Sequence, residues 1–405
     1  MFTRLALLLS LCAAALFAPP RAAAASSMQE QPEIRGGVRY TFGSEIDFWA
    51  ALSPENAARS PQVVVFWQAQ GETSTQQAPL SPEGDEFRVQ VEASSTLIRP
   101  FALVRYWFQV TFPDGETARS PRMTFRYEDN RFAWKTLESA PFQVHWYDGG
   151  VNFGQALLNE AQRALQASRG WLNSPLADTI HIYAYASPAE VQSALQLSGY
   201  NWVAGHTDPD LNVILVSLPP GIDQDYEIGR QIPHELMHIL VHHYLGADAV
   251  RLPSWLDEGL ASNAERIPNP DYAYLLQETY ASGRLIPLAD LCHGFPPNAA
   301  DALLAYAEAQ SFTTFLHGQY GRSGIEALLK TYADGVDCER APQLALGKSL
   351  SQLEHTWIQQ TLAQSPWATL RESYPYLFLL GILLLVPLLV GWRRISPRGE
   401  GTISP

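Results

Sequence analysis

The chain has 405 residues, 46% of them hydrophobic, and a formal net charge of −14. That much apolar chain supports two domains with accessory segments, and that much negative charge excludes a general nucleic-acid binder, whose phosphate partner demands a basic surface. Arginine supplies almost all of the positive charge, lysine occurring only at Lys135, Lys330 and Lys348.

In chain order, MFTRLALLLSLCAAALFAPPRAAAASS places Arg4 before an apolar run from Leu5 to Ala18, with small residues around Ala23 to Ala25. This is the form of a secretory signal peptide over residues 1–25, and it predicts export of the mature chain. From Gly36 to Tyr127 the pattern alternates with a period of two. VVVFWQAQ, EFRVQVEA, LVRYWFQVTF and RMTFRYED read as strands, with PEGDE and PDGE as turns. The expectation is an all-β sandwich of the immunoglobulin or fibronectin kind over residues 33–130. It holds no histidine or cysteine, so no metal or thiol chemistry is indicated there. It reads equally as a binding module or a spacer.

Composition then shifts. FQVHWYDG, TIHIYAYAS and LNVILVSLPP read as strands, with NFGQALLNEAQRALQASRGWL as a helix among them. Helices are predicted at 226–245, 253–265, 270–281, 299–319, 322–333 and 349–364. A small mixed sheet followed by helices is an α+β arrangement, placed at residues 138–367. YPYLFLLGILLLVPLLVGW, residues 374–392, carries no charge and is followed by Arg393 and Arg394. Its length suits a hydrocarbon layer of ~30 Å. It therefore predicts a C-terminal transmembrane helix with a cytoplasmic tail at 393–405, the bulk lying outside the cell membrane. Cys12 leaves with the signal peptide. Cys292 and Cys338 are then either a disulfide in an oxidising compartment or two separate buried thiols.

The chemistry concentrates in QIPHELMHILVHHY. His234 and His238 are four apart, which puts both imidazoles on one helix face, and Glu235 lies beside them. This is the HExxH pattern of metallohydrolases, although an amphipathic helix with two satisfied histidines gives the same string. The neighbours Ile232, Leu236, Ile239, Leu240 and Val241 predict deep packing, where unpaired imidazoles are costly and a zinc ion satisfies them. Twenty residues past His238, WLDEGLAS offers Glu258 as a third ligand. Its competing role, a carboxylate favoured by the helix dipole, suits Asp257 better. Gly259 removes a side chain where two helices can approach closely. His242 is set aside, because a fourth protein ligand would close the water position.

The pair of motifs, HELMH and WLDEGLAS, resembles those of the gluzincin metallopeptidases, and specifically the bacterial peptidase MA-like family with its W-x-x-E-G-x-A run. YAEAQSFTTFLHGQYG, from Tyr306, is similar to that family's helix after the site, and the resemblance spans about residues 140–365. It implies a thermolysin-like catalytic domain and a zinc-dependent endopeptidase or aminopeptidase-like hydrolase. Zinc would be held by His234, His238 and Glu258, with Glu235 as general base. It also implies that a peptide or protein substrate lies along an edge strand near 211–218. Tyr306 is the candidate oxyanion donor, or else an aromatic packed against the zinc helix; His206 is a weaker candidate. One departure concerns the aspartate that such enzymes carry four residues past the glutamate ligand to orient a histidine. Here that position is Ser262, with Asn263 as a possible substitute. Two rivals are an inactive, zinc-stabilised surface module and an intramembrane protease; the second is disfavoured because the HELMH helix is too polar and short to span.

Overall fold

A computed structural model of the chain describes residues 32–96, 98–176, 178–196, 205–246 and 252–363, with Tyr376, Phe378, Leu379, Leu380 and Leu383 beyond them. The segment read as a signal peptide lies outside these residues, as does most of 374–392. Among the described residues no helix is long and apolar enough to cross a membrane. The expected transmembrane helix is therefore not found among the described residues. That reading rested on an uncharged apolar run followed by Arg393 and Arg394, which sets hydropathy and orientation but not the roughly 20 consecutive helical residues a span needs.

The N-terminal unit comprises β1 (Arg35–Thr41), β2 (Glu45–Ala51), a short α1 (Pro54–Ala58), β3 (Gln62–Ala69), β4 (Gln76–Glu83), β5 (Glu86–Glu92), β6 (Leu103–Thr111), β7 (Thr117–Arg119) and β8 (Met123–Arg126). Alternate residues turn inward, as Ile46, Phe48 and Ala50 do on β2 and Val63, Val65 and Trp67 on β3. The expectation of two separate sheets fails here. The order β1-β2-β5-β4-β3-β6-β7 is one eight-stranded sheet, with β8 also paired to β6. Its continuity comes from β4, which pairs β3 from Gln76 to Leu80 and then β5 from Ser81 to Glu83. The sheet curls there into a half-barrel, and Phe48 of β2 stacks on Trp67 of β3 at 5.3 Å between centroids. A period of two reports one buried face; it cannot distinguish two stacked sheets from one sheet curled over itself.

The second unit contains β9 (Lys135–Ser139), β10 (Phe142–Trp146), α2 (Val151–Ser168), β11 (Ile180–Tyr185), α3 (Pro188–Gln196), β12 (Gly205–Asp208) and β13 (Val213–Ser217). These strands form a sheet in the order β12-β13-β11-β10-β9. The central three are parallel, and β9 and β12 are antiparallel edges. The strand expected at the substrate edge, 211–218, is thus interior, and β12 is the edge. The reason is legible in burial: all five residues of β13 are buried, as suits a strand paired on both sides and covered on both faces. The helices come next in the chain, as α4 (Gln224–Leu245), α5 (Ser254–Ala264), α6 (Asp271–Ala281), α7 (Ala299–Ala333), α8 (Ala341–Leu346) and α9 (Leu350–Trp357), closed by a π-helical turn at Ile358–Leu362. α7 joins the two helices expected at 299–319 and 322–333 across a kink at Gly321, whose φ is 64°.

The sheet has two covers. Phe142, Val144, Ile182 and Ile214 belong to the core made with the helices. Tyr183, Tyr185, Val213 and Leu215 belong to the core of the half-barrel. The half-barrel, together with Val191, Ala194 and Leu195 of α3, therefore packs on the sheet face opposite α2 and α4. Phe101 meets Tyr183 at 4.3 Å between centroids, and the hydroxyls of Tyr183 and Tyr185 donate to Glu128 and Asp129 at 2.6 and 3.0 Å. Cys292 and Cys338 form a disulfide.

Candidate metal centre

The partly exposed positions Tyr226, Arg230, His234, His238 and His242 recur every four residues along α4 and form one stripe; Ile228, Ile232, Leu236, Ile239 and Leu240 bury the other faces. Pro233 lies inside this helix, immediately before His234. It has no N–H to give the Gly229 carbonyl, and the backbone N–H of Arg266 donates to that carbonyl instead, at 2.8 Å. A Cβ on Gly229 would lie 2.4 Å from the Arg266 guanidinium. A proline and a glycine thus dock the end of α5 onto α4, next to Glu265.

A second close approach seats α5 on α7. A Cβ on Gly259 would come within 2.2 Å of Thr313 Oγ1 and 2.6 Å of the Ala309 carbonyl oxygen. With Trp255, Leu256 and Leu260 fully buried, the adjacent Glu258 is carried onto the histidine stripe.

The structure brings the three predicted ligands together. Glu258 Oε2 lies 3.3 Å from His234 Nε2 and 3.8 Å from His238 Nε2. One ligand atom from each residue falls within 4.8 Å of the others. Glu258 Oε2 is buried and makes no well-aligned hydrogen bond, so the three atoms converge on a common point, as ligands of a cation do. Each imidazole is oriented from behind. His234 Nδ1 is 3.0 Å from Glu265 Oε1, and His238 Nδ1 is 3.2 Å from Asp257 Oδ1. A carboxylate accepting from Nδ1–H leaves Nε2 as the ligand atom. Burial opposes a charged imidazole, but the carboxylates outweigh it: Glu258 and Glu265 lift His234 to about 10, and Asp257 with Glu258 lifts His238 to about 9. The cluster is built for positive charge, and a divalent cation fits it.

Neither Ser262 nor Asn263 takes the orienting role considered for them. The Ser262 hydroxyl is buried without a partner, and the Asn263 amide donates to the carbonyls of Gly259 and Gln310 at 2.7 and 2.9 Å. Asp257, read as a helix-dipole residue, binds His238, and Glu265 was not foreseen. Glu235 is buried beside the ligands. Thr207 of β12 donates its hydroxyl to Glu235 Oε2 at 2.7 Å, a partner that sequence reasoning missed. His206 is on the same edge strand, not in a loop; burial lowers its pKa, partly offset by the Glu235 and Asp208 carboxylates. His242 Nε2 faces Asp210 at 3.4 Å, away from the ligand cluster. Tyr306 packs edge-on to Phe295 at 4.9 Å and lies 6.3 Å from His234 between ring centroids. Burial, with the charges of Glu258 and Glu235, pushes its phenol pKa up, so it stays a donor. Tyr272 of α6 is raised in the same way, by burial and then Glu265, and is a second phenol near the cluster.

The family profile described as the Peptidase MA superfamily matches residues 161–363. The chain belongs to the Peptidase MA superfamily. The matched span of this superfamily member starts within α2, ends at the π-helical turn and contains every residue of the ligand cluster; the membership supports a metallopeptidase-like hydrolase. No curated protein matches the chain. Similar solved structures include a Br derivative of BhCBM56, with 16% identity, coverage of 24% of this chain and 98% of that one, and a TM-score of 0.19. Another is the polysaccharide deacetylase BC0361 from Bacillus cereus, at 12% identity, 42% and 55% coverage and a TM-score of 0.19. A third is the purple acid phosphatase PPD1 from yellow lupin (Lupinus luteus) seeds, at 8% identity, 51% and 40% coverage and a TM-score of 0.20. The superfamily member thus spans about half the length of the last two, and TM-scores this low carry no argument about it.

Proposed function

We propose that the chain is a zinc-dependent metallopeptidase of the gluzincin type that hydrolyses peptide bonds outside the cytoplasm. One observation carries the reading: Glu258 Oε2 converges on the Nε2 atoms of His234 and His238 without a well-aligned hydrogen bond, while the Glu235 carboxylate stands beside the set, held by Thr207. The Cys292–Cys338 disulfide supports an oxidising compartment.

His234, His238 and Glu258 would hold the ion, which supplies a Lewis acid and an acidified water. Glu235 takes the proton of the attacking water and delivers it to the leaving amine. Thr207 fixes the rotation of that carboxylate, and Asp257 and Glu265 keep the imidazoles in the tautomer that presents Nε2. Tyr306 stays protonated and donates to the developing oxyanion. The substrate backbone pairs with the outer side of β12, the sheet edge next to Glu235.

The test is Glu235→Gln in the full chain, assayed on fluorescently labelled casein with metal content measured in parallel. The expected result is one zinc per chain in both proteins and a fall in cleavage on the order of 10³-fold. Equal inertness of both zinc-loaded proteins would favour the rival reading, a zinc-stabilised surface module.

A further inference from the structure

β12 is a short edge strand of its sheet. It has four residues; among the described residues it pairs only with β13, through His206↔Leu215, Thr207↔Ile214 and Asp208↔Val213, and it also packs against α4. Short edge strands open readily unless something else holds them. Yet β12 carries Thr207, whose hydroxyl fixes the Glu235 carboxylate at 2.7 Å. Whatever steadies this strand also steadies the proposed general base.

The support comes from the half-barrel. Arg99 lies between β5 and β6, and its Nη1 is 2.8 Å from Asp208 Oδ2 and 3.7 Å from Asp210 Oδ2. Gln70, just past β3, donates to the Asp210 carbonyl at 3.2 Å. The other oxygen of Asp208 accepts from the Leu211 N–H at 3.2 Å, which closes the turn into β13. Asp210 reaches His242 on α4 at 3.4 Å, one turn past His238. Room for the guanidinium depends on Gly71, at φ +81°, where a Cβ would lie 2.3 Å from Arg99 Nη2. Two loops of the half-barrel and helix α4 thus meet on the β12–β13 turn.

We propose that Arg99 is a positioning residue: it pins Asp208, and through β12 it sets Thr207 against Glu235. This deepens the metallopeptidase reading and rests on it for the role of Glu235. The Arg99 and Asp208 side chains are 28% and 14% exposed, so this ion pair is only partly withdrawn from solvent, and such pairs add little to global stability. Its effect belongs in the placement of β12, not in the melting temperature.

The experiment compares the full wild-type chain with Arg99→Met, Arg99→Lys, Thr207→Val and Thr207→Ser. Hydrogen–deuterium exchange is measured on peptides covering 205–211 and 224–245. Arg99→Met is expected to raise exchange of the first peptide by about tenfold, leaving the α4 peptide and the melting temperature unchanged; Arg99→Lys restores protection. On labelled casein, Arg99→Met and Thr207→Val are expected to lower kcat by about tenfold with KM within about twofold, and Arg99→Lys and Thr207→Ser recover most of it. Exchange at 205–211 that stays within about twofold of wild type in Arg99→Met overturns the proposal. So does a global loss of protection that Arg99→Lys fails to reverse, since that would make the contact merely structural. A wild type inert on casein would count against the peptidase reading alone, and the exchange data would still decide whether Arg99 holds the strand.

Discussion

Arg126 sets the state of two buried imidazoles that the proposed chemistry does not use. Its Nη2 lies 3.1 Å from His181 Nε2, and a guanidinium only donates, so Nε2 must accept. His181 Nδ1 then donates to His145 Nε2 at 3.1 Å, and His145 Nδ1 to Thr136 Oγ1 at 3.0 Å. Tyr183 stacks on His145 at 4.2 Å, with its hydroxyl tied to Glu128. Burial, then the neighbouring His181 and Arg126, lowers His145 to about 3; burial and Arg126 lower His181 to about 4. An unfolded imidazole titrates near 6.5, so below that pH the unfolded chain binds protons that the folded chain refuses. Stability is therefore full above about 6.5 and falls as pH drops towards the folded values, by about 1.4 kcal/mol per pH unit for each histidine. Urea midpoints at pH 7, 6 and 5 check this: His145→Phe should remove about half of the pair's slope, and an unchanged slope would refute it. None of this chain was visible beforehand, because its members come from three strands and the half-barrel. The proposed metal ligands were legible for the opposite reason: His234 and His238 lie one helical turn apart with Glu235 between them, and Glu258 comes after them at motif spacing. Glu265, 31 residues from His234, and Thr207, 28 residues from Glu235, are joined to them only by tertiary structure.

Among elements, the contact between α5 and α7 governs where Glu258 stands. Gly259 faces a backbone carbonyl at 2.6 Å from the position of any Cβ, and a backbone atom cannot rotate aside as a side chain can. Gly259→Ala should push the helices apart, at a cost of about 1–3 kcal/mol, and displace the adjacent ligand. Zinc affinity, measured by competition with a chromogenic chelator, is expected to fall by about tenfold or more while α-helical content stays constant; unchanged affinity would show that α5 does not position Glu258 through this contact. The helices themselves were readable from apolar spacing, down to the break that Gly321 makes in α7. The edge strand was not. GHTD is too short and polar to alternate, so the edge role that the family resemblance implied was placed on the run at 211–218 beside it, although uniform apolarity marks an interior strand. The half-barrel shows the same limit: VVVFWQAQ, EFRVQVEA, LVRYWFQVTF and RMTFRYED do carry strands β3, β5, β6 and β8, but the continuity of β4 between two partners leaves no trace in a period of two.

At the scale of the molecule, the sheet needs both of its covers. Tyr183, Tyr185, Val213 and Leu215 are at most 3% exposed, and all four share the core of the half-barrel. Exposing side chains of this size costs about 1.5–3 kcal/mol each, so losing the half-barrel forfeits roughly 6–12 kcal/mol, comparable to the ~5–15 kcal/mol that holds a typical domain together. The ties of Tyr183 to Glu128 and of Tyr185 to Asp129 would go as well. A fragment covering residues 133–367 should therefore aggregate or bind the dye ANS and unfold without a cooperative transition, even though it contains every proposed metal ligand. Co-expression with residues 32–132 should restore a soluble, cooperatively melting complex. A monomeric fragment that melts sharply and takes up one zinc would contradict this, and would mean that the apolar face of the sheet can close over itself. The prediction sets a third role for the N-terminal unit beside the two that the sequence left level, a binding module and a spacer. A tethered module or spacer could be removed without consequence to the fold, whereas a cover that shares its core with the second sheet cannot.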